Sequence, residues 1–462
     1  MRQCGRRSGT ALAMVTALLA GVALSGCSAE PAEELTILGS WTNEEEAEFT
    51  RVLNDFEAAS GIRTRYQGHR DVSQVLQVGI ERGRPPDVAV LPRLNDLQRY
   101  VNAGQLAPLK GALTTDPGAA PQLIRLARKV GPDGNPVGAE LAYAVSMATH
   151  LKSVVWYDPA ELAKFGRNPP RTWDELVSQT QRIADGRQVP WCLGMSSPPV
   201  SGWPGTDWIE DILLHQSGQV AYEQWTSGVL PWTSQPVRDA WQTWGALLRA
   251  SSGETARASL YTTFQVAGTG LFPREEAADP YAPRGCHLDH QGSFVIRDYR
   301  RHLATLPSPT STASPAPSFT FFPTPPPAGK TGNASLQEVS DDVAAMFRDT
   351  EPARKLMSYL ASERAQAARR AQTQDVAFSR RTTAPDYQDG VTRAVAARLR
   401  TGTLCWDGSD LLPAAMATAF ERAVLVYLEA PERLDSLLAE LEVVRGKLSK
   451  AEWMDLQCVP TA

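Results

Sequence analysis

The sequence is poor in lysine, in histidine and in long apolar runs. Eight lysines stand beside 38 arginines, and there are six histidines in 462 residues. The formal net charge is -5, so no basic excess is available to neutralise phosphates, which excludes a nucleic-acid partner. No CxxC pair is present, so a zinc site of that kind is not expected. Gly-x-Ser-x-Gly, the P-loop and a Gly-x-Gly-x-x-Gly opening a helix are also missing, so no nucleophile elbow, phosphate cradle or dinucleotide fingerprint is present. His287 and His290 are three apart with no third ligand near, so no metal and no cofactor are expected. The paired carboxylates of a glycosidase are a spatial feature, so a secreted glycosidase stays open as a minor alternative.

What is present begins at the N-terminus. Arg2, Arg6 and Arg7 precede an uncharged apolar run over 11–24, which at 14 residues is shorter than the ~20 a membrane helix needs. This reads as an export signal over 1–26. Leu24-Ser25-Gly26-Cys27 resembles the bacterial lipobox. That resemblance implies cleavage before Cys27, lipidation of its sulfur, a tether over 27–34 and anchoring to the outer face of the cell membrane. Acyl chains anchor because each buried methylene contributes ~0.8 kcal/mol. With Cys4 and Cys27 set aside, Cys192, Cys286, Cys405 and Cys458 remain, an even number that favours disulfides in an exported chain. Three pairings are open; Cys192–Cys286 and Cys405–Cys458 join the cysteines nearer in sequence.

The length exceeds the ~250–300 residues at which single cores stop growing, so two domains are expected. Residues 35–39 read as a strand, followed by a helix opened by Glu44, Glu45 and Glu46 with Asn43 as N-cap. Residues 62–66 and 85–92 read as strands around a helix at 72–79, giving β-α-β-α-β with parallel strands. Ligands bind at the carboxyl ends of such strands, here 40–44, 67–70 and 92–95. Further on, 173–184 reads as a helix capped by Thr172. Residues 209–216, 237–249, 339–346, 351–366, 393–400 and 411–429 also read as helices. Residues 190–195 and 319–322 read as strands, and the Ser/Thr/Pro-rich 307–317 as a solvated loop.

Five runs then stand in order: Gly39-Ser40-Trp41-Thr42-Asn43-Glu44-Glu45; Pro86-Asp87-Val88-Ala89-Val90-Leu91-Pro92; Lys152-Ser153-Val154-Val155-Trp156-Tyr157-Asp158-Pro159 before Thr172-Trp173-Asp174-Glu175-Leu176; Trp203-Pro204-Gly205-Thr206-Asp207-Trp208; and Asp407-Gly408-Ser409-Asp410-Leu411. Together they resemble family 1 extracellular solute-binding proteins, close to the carbohydrate-binding (alpha-glucoside type) lipoproteins of ABC importers. The resemblance implies an α/β type II periplasmic-binding-protein fold: two lobes, 35–145 with 328–378 and 146–327 with 379–462, joined by hinge strands around a cleft. It implies a non-catalytic monomer that captures a carbohydrate, an oligosaccharide, and delivers it to permease subunits and through them to an ATPase. Residues 336–342 and 375–381 depart from the relatives' pattern. They motivate a second reading, a degenerate binding lipoprotein serving as sensor or surface interaction module.

Sugars present C–H faces to aromatic rings while polar groups fix their hydroxyls. The candidate ligand residues are Trp41, Thr42, Asn43 and Glu44 after the first strand, Gln67 and Arg70 after the second, and Asp87 opening the third. Trp156, and Trp203, Gly205, Asp207 and Trp208 in the turn before a helix, complete the set. Plainer roles compete: core packing for Trp156, loop-amide binding for Asp87, helix capping for Asp207. Trp241 and Trp244 read as core.

Overall fold

The computed structural model describes residues 34–461 except 96, 112, 114–122, 132–134, 167, 199, 252, 273–284, 307–316, 328, 373–386 and 388. The export signal, Cys27, most of the 307–317 run and all of 375–381 lie outside the described residues.

The chain opens as expected. Strand β1 (Glu34–Gly39) leads to the helix Glu44–Ser60, whose first-turn acids suit the helix dipole and whose Phe49, Val52, Leu53 and Phe56 are buried. Gly61 ends it in the left-handed region, its N–H on Glu57 O at 2.8 Å. Asn43 does not cap: it sits at φ 57°, outside the usual cap geometry, and its side chain reaches Thr42 instead. Strand β2 (Arg63–Gly68), the helix Val72–Glu81 and β3 (Val88–Leu91) follow, with β2 and β3 both parallel to β1.

Two sheets organise the chain. The larger runs β12-β11-β10-β3-β1-β2, with β5 beside β10 and β4 beside β5. Its later strands are β4 (Leu123–Val130), β5 (Pro136–Leu151), β10 (Leu336–Met346), β11 (Thr403–Trp406) and β12 (Val459–Pro460). The second runs β7-β8-β6-β9, with β6 (Val154–Tyr157), β7 (Val189–Trp191), β8 (Cys286–His290) and β9 (Thr320–Pro323). One core with Phe49, Phe56 and Met357 and another with Leu76, Leu97 and Tyr100 both draw on the larger sheet. The second sheet contributes to a core with Trp191, Trp208, Trp241, Trp244 and Phe420, and to another with Trp156, Phe272 and Tyr299. Trp241 and Trp244 are fully buried, as the sequence implied.

The run 339–346 is a strand rather than a helix. β10 is almost wholly buried between β3, β11 and β5, and a continuously buried run shows no strand alternation to read. The expected helix over 411–429 starts at Ala414, because Pro413 separates it from the short turn Gly408–Leu411. Thr172 caps Trp173–Asp185 through Glu175 N. Both disulfides, Cys192–Cys286 and Cys405–Cys458, are present.

The chain passes between the sheets at Lys152-Ser153 (β5 to β6), at 324–335 (β9 to β10) and after β11, where Asp407 leads into helices that pack on the second core. Two of these passages are bonded to β10, Lys152 N to Glu338 O and Asp407 N to Val339 O, both at 2.8 Å, and two are bonded to each other, Thr324 N to Ser153 O at 3.1 Å.

Candidate functional site

The parallel strands β1, β2 and β3 end on one edge of the larger sheet, where a parallel sheet presents its ligand site. Trp41 follows β1. The Tyr66 hydroxyl accepts from Trp41 N at 3.1 Å and donates to Trp41 O at 2.9 Å. The backbone passes so close to β2 that a Cβ on Gly68 would lie 2.1 Å from Trp41 O, which is why glycine stands there. The Trp41 ring is only 6% exposed, covered by the Arg369 guanidinium 4.0 Å from its centroid and by the edge of Phe49. Its indole Nε1 donates to Asp342 Oδ2 at 3.0 Å.

From Asp342 a continuous path leads to the second sheet. His150 Nε2 lies 3.6 Å from Asp342 Oδ2, and its ring meets Phe294 edge to face at 5.6 Å. Phe294, Phe264 and Trp203 form a triangle with centroids 4.9 to 5.8 Å apart, all three half-buried. Trp203 opens the helix Trp203–Thr226, and the Lys152 ammonium lies 5.0 Å from its ring centroid and 5.6 Å from that of Phe294. On a further side Arg93, just past β3, reaches Glu421 at 3.0 Å and Asp410 at 3.6 Å.

Beneath the rings lies a buried ionic group. Lys152 Nζ contacts Asp207 Oδ2 at 2.7 Å and Asp407 Oδ2 at 2.9 Å. Ser153 Oγ donates to Asp211 Oδ1; His215 Nδ1 lies 2.9 Å from the same oxygen and His290 Nε2 2.9 Å from Oδ2. Burial dominates the carboxyls. It pushes Asp207 up to about 6 and lifts Glu210, Glu338 and Asp410 well above the usual carboxylate range. At Asp407 burial is outweighed by Lys152, and at Asp211 by His215 and His290, so both stay low. Burial alone would lower the Lys152 ammonium, but Asp207 and Asp407 hold it well above the ordinary lysine value. Asp207, Glu210 and Asp407 bring one carboxylate oxygen each within 4.8 Å of one another, a spacing a metal ion accepts. The lysine already supplies the cation there.

The structure brings together part of the predicted set. Trp203 is a half-buried ring in the path, Trp41 joins it through Asp342 and His150, and Asp207 lies below it. Thr42 is half-buried and Asn43 exposed beside Trp41. Glu44 is exposed and paired with Arg301 at 2.6 Å; Gln67 is exposed, and Arg70 reaches Glu45 at 3.4 Å.

Other residues lie elsewhere. Asp87 precedes β3 and so sits at the end of the sheet opposite to Trp41. Its carboxylate is 2.8 Å from Thr36 N and Oγ1 and 3.2 Å from Arg348. Trp156 is fully buried, its Nε1 on Gln291 O, and Trp208 is stacked on His290 and edge-on to Trp191. The residues 203–208 form the first turns of a helix rather than a preceding turn. Gly205 N therefore donates to Gly202 O, and its missing side chain makes room for Val424 and Trp244. His287 and His290 are on strand β8, where a spacing of three puts them on opposite faces.

Sequence reasoning missed Asp342, His150, Phe264, Phe294, Arg93 and Arg369. Arg93 lies in the flagged strand end 92–95. Asp342 was hidden by the helical reading of β10. Phe264 and Phe294 are single aromatics in loops or at helix ends, without a local pattern.

The comparisons with known proteins agree with this architecture. Residues 40–266 match the family model of the bacterial extracellular solute-binding protein. The osmoprotective compounds-binding protein GgtB of Synechocystis is 29% identical, with 88% of this chain and 92% of that protein covered. The alpha-glucosides-binding periplasmic protein AglE of Rhizobium meliloti is 30% identical, with 82% and 80% covered. Among solved structures, the solute receptor AcbH and a chitin oligosaccharide binding protein each superpose with TM-score 0.69 at 17% identity. They cover 89% and 91% of this chain, and 97% and 99% of their own. Sheets, crossings and relatives together give the two-lobed periplasmic-binding-protein fold, and the chain belongs to the bacterial extracellular solute-binding protein family.

Proposed function

We propose that the protein captures a carbohydrate, an oligosaccharide of the alpha-glucoside kind, in the cleft between its two lobes and delivers it to the permease of an ABC importer. The observation that carries the reading is the triangle of half-buried rings, Trp203, Phe264 and Phe294, set beside the polar groups of His150 and Asp342. Rings supply the apolar wall for C–H faces, and a carboxylate and an imidazole supply hydroxyl partners. Thr42, Asn43, Gln67 and Arg70 would form the rim on the side of the larger sheet, over Trp41 packed beneath Arg369. AglE, named for alpha-glucosides, and the oligosaccharide-binding neighbour support this ligand class.

The lobes would be 35–145 with 328–378 and 146–327 with 379–462, except that β11 and β12 pair into the first lobe's sheet and so belong with it. Closure over the guest is a population shift, because the ligand binds the closed state better. The role is that of a monomer that binds without catalysis; against catalysis, the buried carboxylates lie under the rings and are tied to Lys152, Arg93 and the histidines. The Leu24-Ser25-Gly26-Cys27 run supports a lipid anchor at Cys27 on the outer face of the cell membrane. Calorimetry against alpha-glucosides, raffinose and chitin oligosaccharides tests the reading. Binding of ~1 μM, about -8 kcal/mol, with a tryptophan emission change supports it. Silence across the panel favours the sensor or surface-module reading.

A further inference from the structure

We infer that Lys152 is a positioning residue of the cleft: its ammonium pins the Trp203 and Phe294 rings to the crossing between the sheets. The inference rests on the reading of that cleft as a ligand site.

Lys152 occupies an unusual place. It is the first residue after β5 and so belongs to the passage into β6, and its backbone N is bonded to Glu338 O on β10. Its side chain is 6% exposed, and its ammonium is bonded to Asp207 and paired with Asp407 while lying 5.0 and 5.6 Å from the ring centroids of Trp203 and Phe294. Asp407 belongs to a second passage between the sheets. Asp207 lies four residues after Trp203, on the same face of the same helix, so one ammonium fixes both the helix and the ring that opens it. Gly292 completes the fit: a Cβ there would lie 2.4 Å from Phe294 and 3.1 Å from the Lys152 side chain.

The chemistry favours this role over a merely stabilising one. Taking an ammonium out of water is costly, and two carboxylates offset it. Apolar residues in place of the lysine and both acids together would fill the same space without that cost. What an ammonium adds is direction: it is attracted to ring faces within about 6 Å and bonds both acids at once, which fixes where the two rings stand. Lys152 does not need to touch the sugar; it acts through Trp203.

A double-mutant cycle tests this in the full chain, using the tightest-binding sugar of the panel. Lys152→Met should weaken affinity about tenfold, Trp203→Leu at least as much, and the double variant no more than Trp203→Leu alone. Costs that multiply, or Lys152→Met binding within twofold of the parent, overturn the inference. If Lys152→Met does not fold, the charge-neutral triple Lys152→Met, Asp207→Asn, Asp407→Asn runs the same cycle. A ligand-free reading keeps the two ideas apart. The Trp203 emission, isolated by difference against Trp203→Phe, should shift to the red and become more open to acrylamide in the Lys152 variant. If no sugar binds the parent, the proposed function fails, and an unchanged Trp203 emission separately overturns the role of Lys152.

Discussion

Trp41 and Asp342 are 301 residues apart in sequence, yet the indole N–H of one donates to the carboxylate of the other at 3.0 Å. The bond fastens the loop after β1 to the central strand β10 beside His150. Hydrogen bonds to charged groups contribute ~1.5–3 kcal/mol. Trp41→Phe keeps a ring under Arg369 but removes the donor, so it should lower unfolding stability in urea by about that amount. It should also weaken sugar affinity by freeing Asp342 to turn.

A second relationship ties a helix packed on the larger sheet to one packed on the second. On the helix Glu44–Ser60, Glu44 pairs with Arg301 at 2.6 Å and Glu48 with Arg297 at 2.8 Å; both arginines are on the helix Ile296–Thr305. Such pairs are screened by salt over ~8–10 Å. Sugar affinity should therefore fall a few-fold between low salt and ~0.5 M salt. The double substitution Arg297→Gln, Arg301→Gln should weaken affinity at low salt and flatten the salt dependence. Titrations at several ionic strengths read both.

Stability should fall as pH rises through neutrality. Burial pushes Asp341 up to about 8 and Asp289 up to about 7. An acid whose folded value is raised is stabilising below its unfolded value near ~4, and that contribution is lost as pH climbs through the folded one. One such group approaches ~1.4 kcal/mol per pH unit in that window. Asp211 works the other way: His215 and His290 hold it low, so its contribution is present above ~4 and lost in acid. Asp341→Asn, which mimics the protonated acid beside Thr149, should flatten the decline between about pH 6 and 8 in urea titrations.

Removing the Cys405–Cys458 disulfide frees β12 from the edge of the larger sheet. The bridge closes a 53-residue separation, and the double serine variant should lose ~2–5 kcal/mol in urea unfolding. Iodoacetamide labelling before and after reduction checks that the bonds form.

Much of the fold was legible in the sequence because its first elements obey local rules. Helical spacing at Phe49, Val52, Leu53 and Phe56 and the Thr172 cap needed no tertiary knowledge. β10 was not legible, because a strand buried on both faces carries no alternation, and its Ala344, Ala345 and Met346 suit a helix as well. The site was legible only where the chain presents a strand end. Trp41 and Trp203 stand in distinctive runs, whereas the His150, Asp342 and Phe294 links exist only once β5, β10 and the segment after β8 are packed together. Asp87 misled because it opens β3, whose other end lies beside the end of β1 that leads to Trp41.

The most direct test is a crystal structure of the protein with an alpha-glucoside bound. A sugar ring is expected within about 4.5 Å of Trp203 or Phe294, with hydroxyls bonded to Asp342 or His150. A sugar bound elsewhere, with those rings untouched, would contradict this.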